Sequence, residues 1–232
     1  MFKRLLLALI AFLLLPLTAY CQVQAEAFSA CGTLYSAGQY GPYDYRTDKD
    51  KLPIVLGAHF TPEVEALVRG KSGSVGGDID YTLRAIPNNH RALIAMMRLA
   101  EKQKTQVPVG SRYTIQCWFE RALLFRPDDS IVRMIYSQYL HSQGRFPEAN
   151  GQLAVATASA KDSAFTHYNI GLHYFDLKNY DMALVQAHKA MELGFTQTAL
   201  RDQLISVGKW VEPAVAESLP ASDASTPTTT NK

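Results

Sequence analysis

From position 78 onward the pattern of apolar and polar residues is that of one helix after another. Apolar side chains recur three and four positions apart over 78–86, 88–102, 111–125, 130–142, 146–159, 164–177, 180–193 and 197–208. That spacing lines one face of a helix. The breaks carry residues that stop helices: Pro87-Asn88-Asn89, Pro127-Asp128-Asp129, Gly144, Asn179 and Gly194. No stretch sustains the alternation of a strand, so the expected class is all-α. An earlier helix is expected to start with Thr61 as N-cap, Pro62 at its first position and Glu63 and Glu65 in its first turn, ending near Gly70.

The two ends read differently. Between Cys31 and Asp50, Gly32, Gly38, Gly41 and Pro42 are interspersed with Tyr35, Tyr40, Tyr43 and Tyr45. Glycine and proline break both regular periods, while tyrosines offer large amphipathic surfaces. An extended arm over 26–60, packed on the body, is expected. Residues 211–232 are Ser, Thr, Pro and Ala with almost no large apolar residue, the composition of a disordered tail. At the start, Lys3 and Arg4 precede an apolar run from Leu5 to Ala19, and small residues follow at Val23-Gln24-Ala25 and Ala25-Glu26-Ala27. This is the pattern of a secretory signal peptide over 1–25, cut after Ala25 or Ala27. The run is short of the roughly 20 apolar residues that span a bilayer comfortably. A lipid anchor on Cys21 is the disfavoured alternative, because bulky Tyr20 stands where that signal has a small residue. An exported bacterial protein of the periplasm or cell envelope is therefore expected.

A repeat emerges within the helical region. Over 164–197, Tyr168-Asn169-Ile170-Gly171 leads to Tyr174-Phe175, Leu177 and Tyr180, then small residues at Ala183, Ala187 and Ala190. Over 130–163, Tyr136, Ser137, Leu140, Gly144, Phe146, Ala149, Leu153 and Ala156 fall in the same register. These runs resemble the tetratricopeptide repeat, a helix-turn-helix unit of about 34 residues. His167 stands where tryptophan is frequent, and Phe195 where a closing proline is usual. Residues 61–129 hold a degenerate unit, with surplus residues around Thr105 to Ser111. Leu200 to Trp210, within 198–210, suits a capping helix. The resemblance implies an α-solenoid of two to three units with an N-terminal arm and a C-terminal cap. The pattern from His59-Phe60-Thr61-Pro62 to Gly77-Asp78-Ile79-Asp80-Tyr81 is similar to that of bacterial exported proteins of this repeat class.

In such an array the first helices line a concave face. The resemblance places Phe165, Tyr168, Asn169 and Leu172 there in the last unit, and Ile131, Met134, Ile135 and Gln138 in the one before. Arg91, Ile94, Ala95 and Arg98 take these positions in the degenerate unit. Ser130 to Ser142 is apolar nearly all round, so a cover on both sides is expected, either a bound peptide or the protein's own arm. The lysines with which some relatives clamp a terminal carboxylate are replaced by Ile94, Met134 and Tyr168, leaving only Asn169. Arg91 and Arg98 are candidates for holding an acidic group, with plain solvent exposure as the simpler reading.

Composition and chemistry narrow the function. The chain carries 23 Lys and Arg against 21 Asp and Glu. Lys3 and Arg4 account for the excess, so nothing after the signal supplies the basic face that a nucleic acid demands. Of three cysteines, Cys31 and Cys117 outlast signal cleavage; an even pair in an oxidising compartment suits a disulfide, with two buried thiols as the alternative. Neither sits in a CxxC or CxxCH pattern, and the histidines form no HExxH, so no metal or cofactor is expected. His167 occupies a packing position. Gly70-Lys71-Ser72 lacks the upstream glycine and strand of a phosphate loop. Asp78 and Asp80 fit N-cap roles better than acid-base catalysis. With no catalytic set, the expected function is a scaffold or adaptor binding a protein or peptide; the alternative is a carrier of a small apolar ligand in the groove.

Overall fold

The computed structural model describes residues 31–35 and 39–213, and every regular element among them is an α-helix. The expected signal peptide over 1–25, Cys21 and the part of the expected tail beyond 213 lie outside the described residues. In chain order the helices are α1 Leu52–His59, α2 Pro62–Glu65, α3 Val75–Ala85, α4 His90–Gln103, α5 Ile115–Phe125, α6 Ser130–Ser142, α7 Phe146–Ala160, α8 Ala164–Asp176, α9 Tyr180–Glu192 and α10 Ala199–Ser206.

Four of them start and stop alike: α4, α6 and α8, and also α9, where Asn179 caps the Met182 N–H and Gly194 (φ 87°) lets the Phe195 N–H reach Ala190. Asn89, Asp129 and Ser163 sit in extended backbone ahead of α4, α6 and α8, and their side chains accept from the backbone N–H of Ala92, Val132 and Thr166. Each cap satisfies a donor that the helix start leaves free, worth about 1 kcal/mol. At the far ends Lys104, Gly144 and Lys178 take left-handed backbone, with φ of 52°, 72° and 59°. In each case the next N–H reaches back to the last turn: Thr105 to Ala100, Arg145 to Leu140, Asn179 to Tyr174. With α9 this is the same Schellman-type ending four times, at one offset from the helix start.

The turns centred on Gly144 and Lys178 fold α6 onto α7 and α8 onto α9 as helical hairpins, the most extensive contacts in the molecule. Small residues permit the approach: a Cβ on Gly171 would lie 2.4 Å from Leu200 Cδ2 and 3.2 Å from Gln186 Cβ. α4 packs on α6 and α6 on α8, α5 lies against α4 and α6, and α10 covers α8 and α9 with buried Leu200 and Leu204.

Two large apolar clusters result. One gathers Val64, Ile79, Leu83, Leu93, Met96, Ile115, Trp118 and Phe119; the other gathers Leu153, Ala156, Ile170, Tyr174, Ala183 and Leu204. α6 enters both, giving Val132, Ile135, Tyr136, Tyr139 and Leu140 to the first and Met134 to the second. Its apolar surface, Ile131 apart, is therefore covered by α4 and α5 on one side and by α7 and α8 on the other. The expected covers, a bound peptide or the arm, are replaced by neighbouring helices.

The N-terminal part also departs from expectation. The arm passes into α1, whose Leu52 and Val55 pack on Ala85 and Ile86 with Tyr40, Tyr43 and Tyr45 beside them. The helix expected over 61–70 is a single turn, α2, followed by Leu67 at φ 58°. Thr61 stands at its N-cap position but makes no capping bond, and its Oγ1 is buried without a partner.

Candidate functional site

The eight expected groove residues divide by burial. Phe165 (64% exposed), Ile131 (41%) and Gln138 face solvent, while Asn169 and Leu172 are half-buried. Met134, Ile135 and Tyr168 are buried in the apolar clusters and line no surface. Phe195 explains part of this: its ring lies 4.5 Å from that of Tyr168 and 6.2 Å from that of Phe165. The Asn169 amide donates to the Phe165 carbonyl at 2.9 Å, so it is occupied within its own helix. Ile94 is also exposed. One exposed apolar side chain thus stands on each of α4, α6 and α8: Ile94, Ile131 and Phe165.

The two arginines differ. Arg91 grips Glu65 with two guanidinium nitrogens, Nε at 2.7 Å, and so already holds an acid of its own chain. Arg98 is exposed and makes no ion pair among the described residues.

The arm docks elsewhere, against α3, α5 and the two turns that precede α4 and α6. Cys31 and Cys117 are joined by a disulfide with Cα atoms 5.1 Å apart. Beside it the buried Arg121 donates to the carbonyls of Cys31 (2.8 Å) and Thr33 (2.9 Å). Its guanidinium lies 4.7 Å from the Tyr113 ring centre and 5.7 Å from that of Trp118. Burial pulls its pKa below the ordinary arginine value.

Further along, Asp44 accepts from Arg46, from Arg126 Nε at 2.6 Å and from Asn88 Nδ2 at 2.7 Å. The same Asn88 amide donates to Asp129 at 2.9 Å, and Asn88 Oδ1 accepts from Tyr45 N–H at 2.9 Å. Asp129 also meets His90 Nε2 at 3.0 Å. One buried amide therefore ties the arm to the turns ahead of α4 and α6.

Asp78 performs a comparable task on the Gly70-Lys71-Ser72 loop. Its carboxylate accepts the N–H groups of Lys71 (2.6 Å) and Ser72 (3.0 Å) and meets His59 Nδ1 at 2.9 Å. The backbone donors that a phosphate would seek are already filled. Asp80 binds Arg84 Nε at 2.9 Å and the Arg112 N–H at 2.8 Å. The N-cap role expected for these aspartates is not what they play: both lie inside α3, whose cap is Ser74. His167 is buried as expected, its Nε2 lying 2.7 Å from the Lys161 carbonyl oxygen and its Nδ1 2.7 Å from Gln186 Oε1.

These carboxylates set an acid limit. Burial alone would raise Asp44, Asp78 and Asp129, but bonds from arginine, asparagine, histidine and backbone N–H outweigh it and hold all three below the usual range. A group depressed in the folded state stabilises the fold above its unfolded pKa of about 3.9 and loses that contribution as pH falls through its folded value. The urea midpoint is expected to hold between neutrality and about pH 5 and to fall steeply below about pH 4. A flat midpoint down to pH 2.5, approximately the middle of that acid range, would contradict this assignment.

Two clefts are prominent. One of about 180 Å³ lies between the ends of α4 and α6, beside Met97, Lys104, Gln106 and Tyr139. The other, about 360 Å³, is lined by Cys31, Cys117, Arg112, Tyr113, Gln116 and Glu120. None of the eight expected groove residues lines either. Comparison with protein-family models, curated proteins and solved structures finds no match to this chain.

Proposed function

We propose that this chain is an exported adaptor of tetratricopeptide-repeat type that recruits a protein partner in a bacterial cell envelope. The observation that carries the reading is the recurrence in α4, α6 and α8. Each has the side-chain cap and left-handed ending that α9 also carries, and what sets these three apart is that each stacks on the next. Stacked first helices of this kind present a continuous face in repeat arrays. Here Ile94, Ile131 and Phe165 stand exposed along it, and exposed apolar groups rimmed by polar ones favour a peptide or helix partner. A carrier reading finds less support, since Met134, Ile135 and Tyr168 are taken up by the protein's own core.

A photo-crosslinking residue at position 165, used on envelope fractions, tests the proposal. A discrete adduct is expected, and the double variant Ile131→Ala, Phe165→Ala should weaken capture by roughly tenfold or more, about 1.4 kcal/mol. Val155→Ala and Val185→Ala, exposed on α7 and α9, should leave it unchanged. Equal loss in both sets would remove the first-helix face from the proposal.

A further inference from the structure

The disulfide has a neighbour that a disulfide does not need. Glu120 Oε2 lies 3.2 Å from Cys31 Sγ, yet a sulfur in an S–S bond has no proton to offer. The carboxylate is held in place deliberately by a chain of side chains. Its other oxygen accepts from Gln116 Nε2 at 2.7 Å, and Gln116 Oε1 accepts from Arg145 Nη1 at 2.7 Å. The sulfurs of Cys31 and Cys117 and a Glu120 oxygen all lie within 4.8 Å of one another.

Three further features bear on what this cluster can hold. Cys117 and Glu120 sit one turn apart on α5, so both donors project from the same helix face. All three residues line the cleft of about 360 Å³, which gives an entry path and room for water. Two cations attend the site: Arg112 lines the cleft, and Arg121 is bound to the Cys31 carbonyl with no acidic partner among the described residues.

We propose that, once the disulfide is reduced, Cys31, Cys117 and Glu120 form a binding site for a borderline-soft divalent cation of the zinc type. Two thiolates and one carboxylate supply three ligands, and water from the cleft completes a tetrahedron. Reduction by a dithiol breaks the S–S bond, delivers two electrons and two protons to the sulfurs, and leaves the dithiol as its own disulfide. Metal binding then displaces both thiol protons to solvent. Metal–sulfur bonds of about 2.3 Å separate two sulfurs by roughly 3.8 Å in a tetrahedron. Side-chain rotation reaches that separation from Cα atoms 5.1 Å apart. The Gln116–Arg145 chain acts as the outer shell that orients the carboxylate. Local sequence patterns cannot reveal such a site, because the two cysteines are 86 residues apart.

Cobalt titration tests the site. The full chain carrying Cys21→Ser, which leaves Cys31 and Cys117 as its two cysteines and serves as the wild type here, is reduced with a dithiol, freed of it under argon and titrated with Co²⁺ while the near-ultraviolet and visible spectra are recorded. Thiolate-to-cobalt charge transfer and tetrahedral ligand-field bands should saturate at one equivalent and vanish on addition of Zn²⁺. The oxidised chain and Cys117→Ser should show neither band. Glu120→Gln should weaken binding at least tenfold while both thiols remain titratable. Absence of charge transfer in the reduced wild type overturns the proposal, as does equal affinity in Glu120→Gln. Far-UV circular dichroism is followed on the same samples. If reduction alone unfolds the chain, zinc should restore the helical signal in the wild type and not in Cys117→Ser; failure to restore it also overturns the site.

Discussion

Replacing Asp129 by alanine is expected to destabilise the folded chain by about 3–5 kcal/mol, the range found when one partner of a buried charge pair is removed. For a domain of this size that corresponds to a fall in Tm of about 6–20 °C. Three losses combine at this residue, which is only 1% exposed. The cap on Val132 N–H at the start of α6 disappears. Asn88 Nδ2 loses one of its two acceptors, and His90 loses its carboxylate. Asp129→Asn separates these effects. Asparagine still caps a helix, but its amide cannot accept from both Asn88 and His90, so a smaller loss of about 1–2 kcal/mol is expected. Differential scanning calorimetry measures both, and limited proteolysis over 39–51 should quicken in the alanine variant. A loss under about 1 kcal/mol for Asp129→Ala would show that the network contributes no more than a surface pair.

Trp118→Ala is expected to cost a similar amount, about 3–5 kcal/mol, by the combined loss of apolar burial and creation of a cavity. The indole is 1% exposed and meets the Tyr113 ring edge-on at 5.1 Å. Its Nε1–H donates to Ser111 Oγ at 3.0 Å. Ser111 ends the segment from Thr105 to Ser111 read as surplus in the sequence and Tyr113 follows it, so Trp118 fastens the end of that segment to α5. Trp118→Phe keeps most of the packing and loses the Ser111 bond, with an expected cost of about 1–2 kcal/mol. Amide exchange over 105–113 should accelerate in the alanine variant well before global unfolding. Unchanged exchange there would mean that the segment is held by other contacts, such as the Val109 N–H to Gln103 bond at 2.8 Å.

Much of the helical region was legible because each helix carries local punctuation. Periodicity over 130–142 and 164–177 matches α6 and α8 to within a residue, since Asp129 and Ser163 cap and Gly144 and Lys178 terminate. α1 was missed for a physical reason: Pro53 and Gly57 mask a segment that is apolar on both faces. Its signal was nonetheless present, in Leu52, Val55, Leu56 and His59 at helical spacing. The candidate face was only half legible. Position within a repeat predicts direction, but Phe195, in place of the usual proline, folds over Tyr168 and removes it from the surface. Cys31 and Cys117 could be paired on compartment and number alone, and they are bonded. Glu120, Asn88 and Asp44 act through partners far away in sequence, which no periodicity encodes.

α6 has a consequence for how the molecule comes apart. Because its two sides belong to different clusters, neither half has a complete boundary without it. Opening is nonetheless unequal from the two ends. Peeling away α8 to α10 uncovers Met134 and the outer hairpin, and no covalent link resists it. Opening at the other end must work against a chain closed into a loop from Cys31 to Cys117. Local unfolding is therefore expected to enter from the C-terminal hairpin and to halt at α6, which makes α8 to α10 the adjustable end of the described molecule and the disulfide-closed part its anchor.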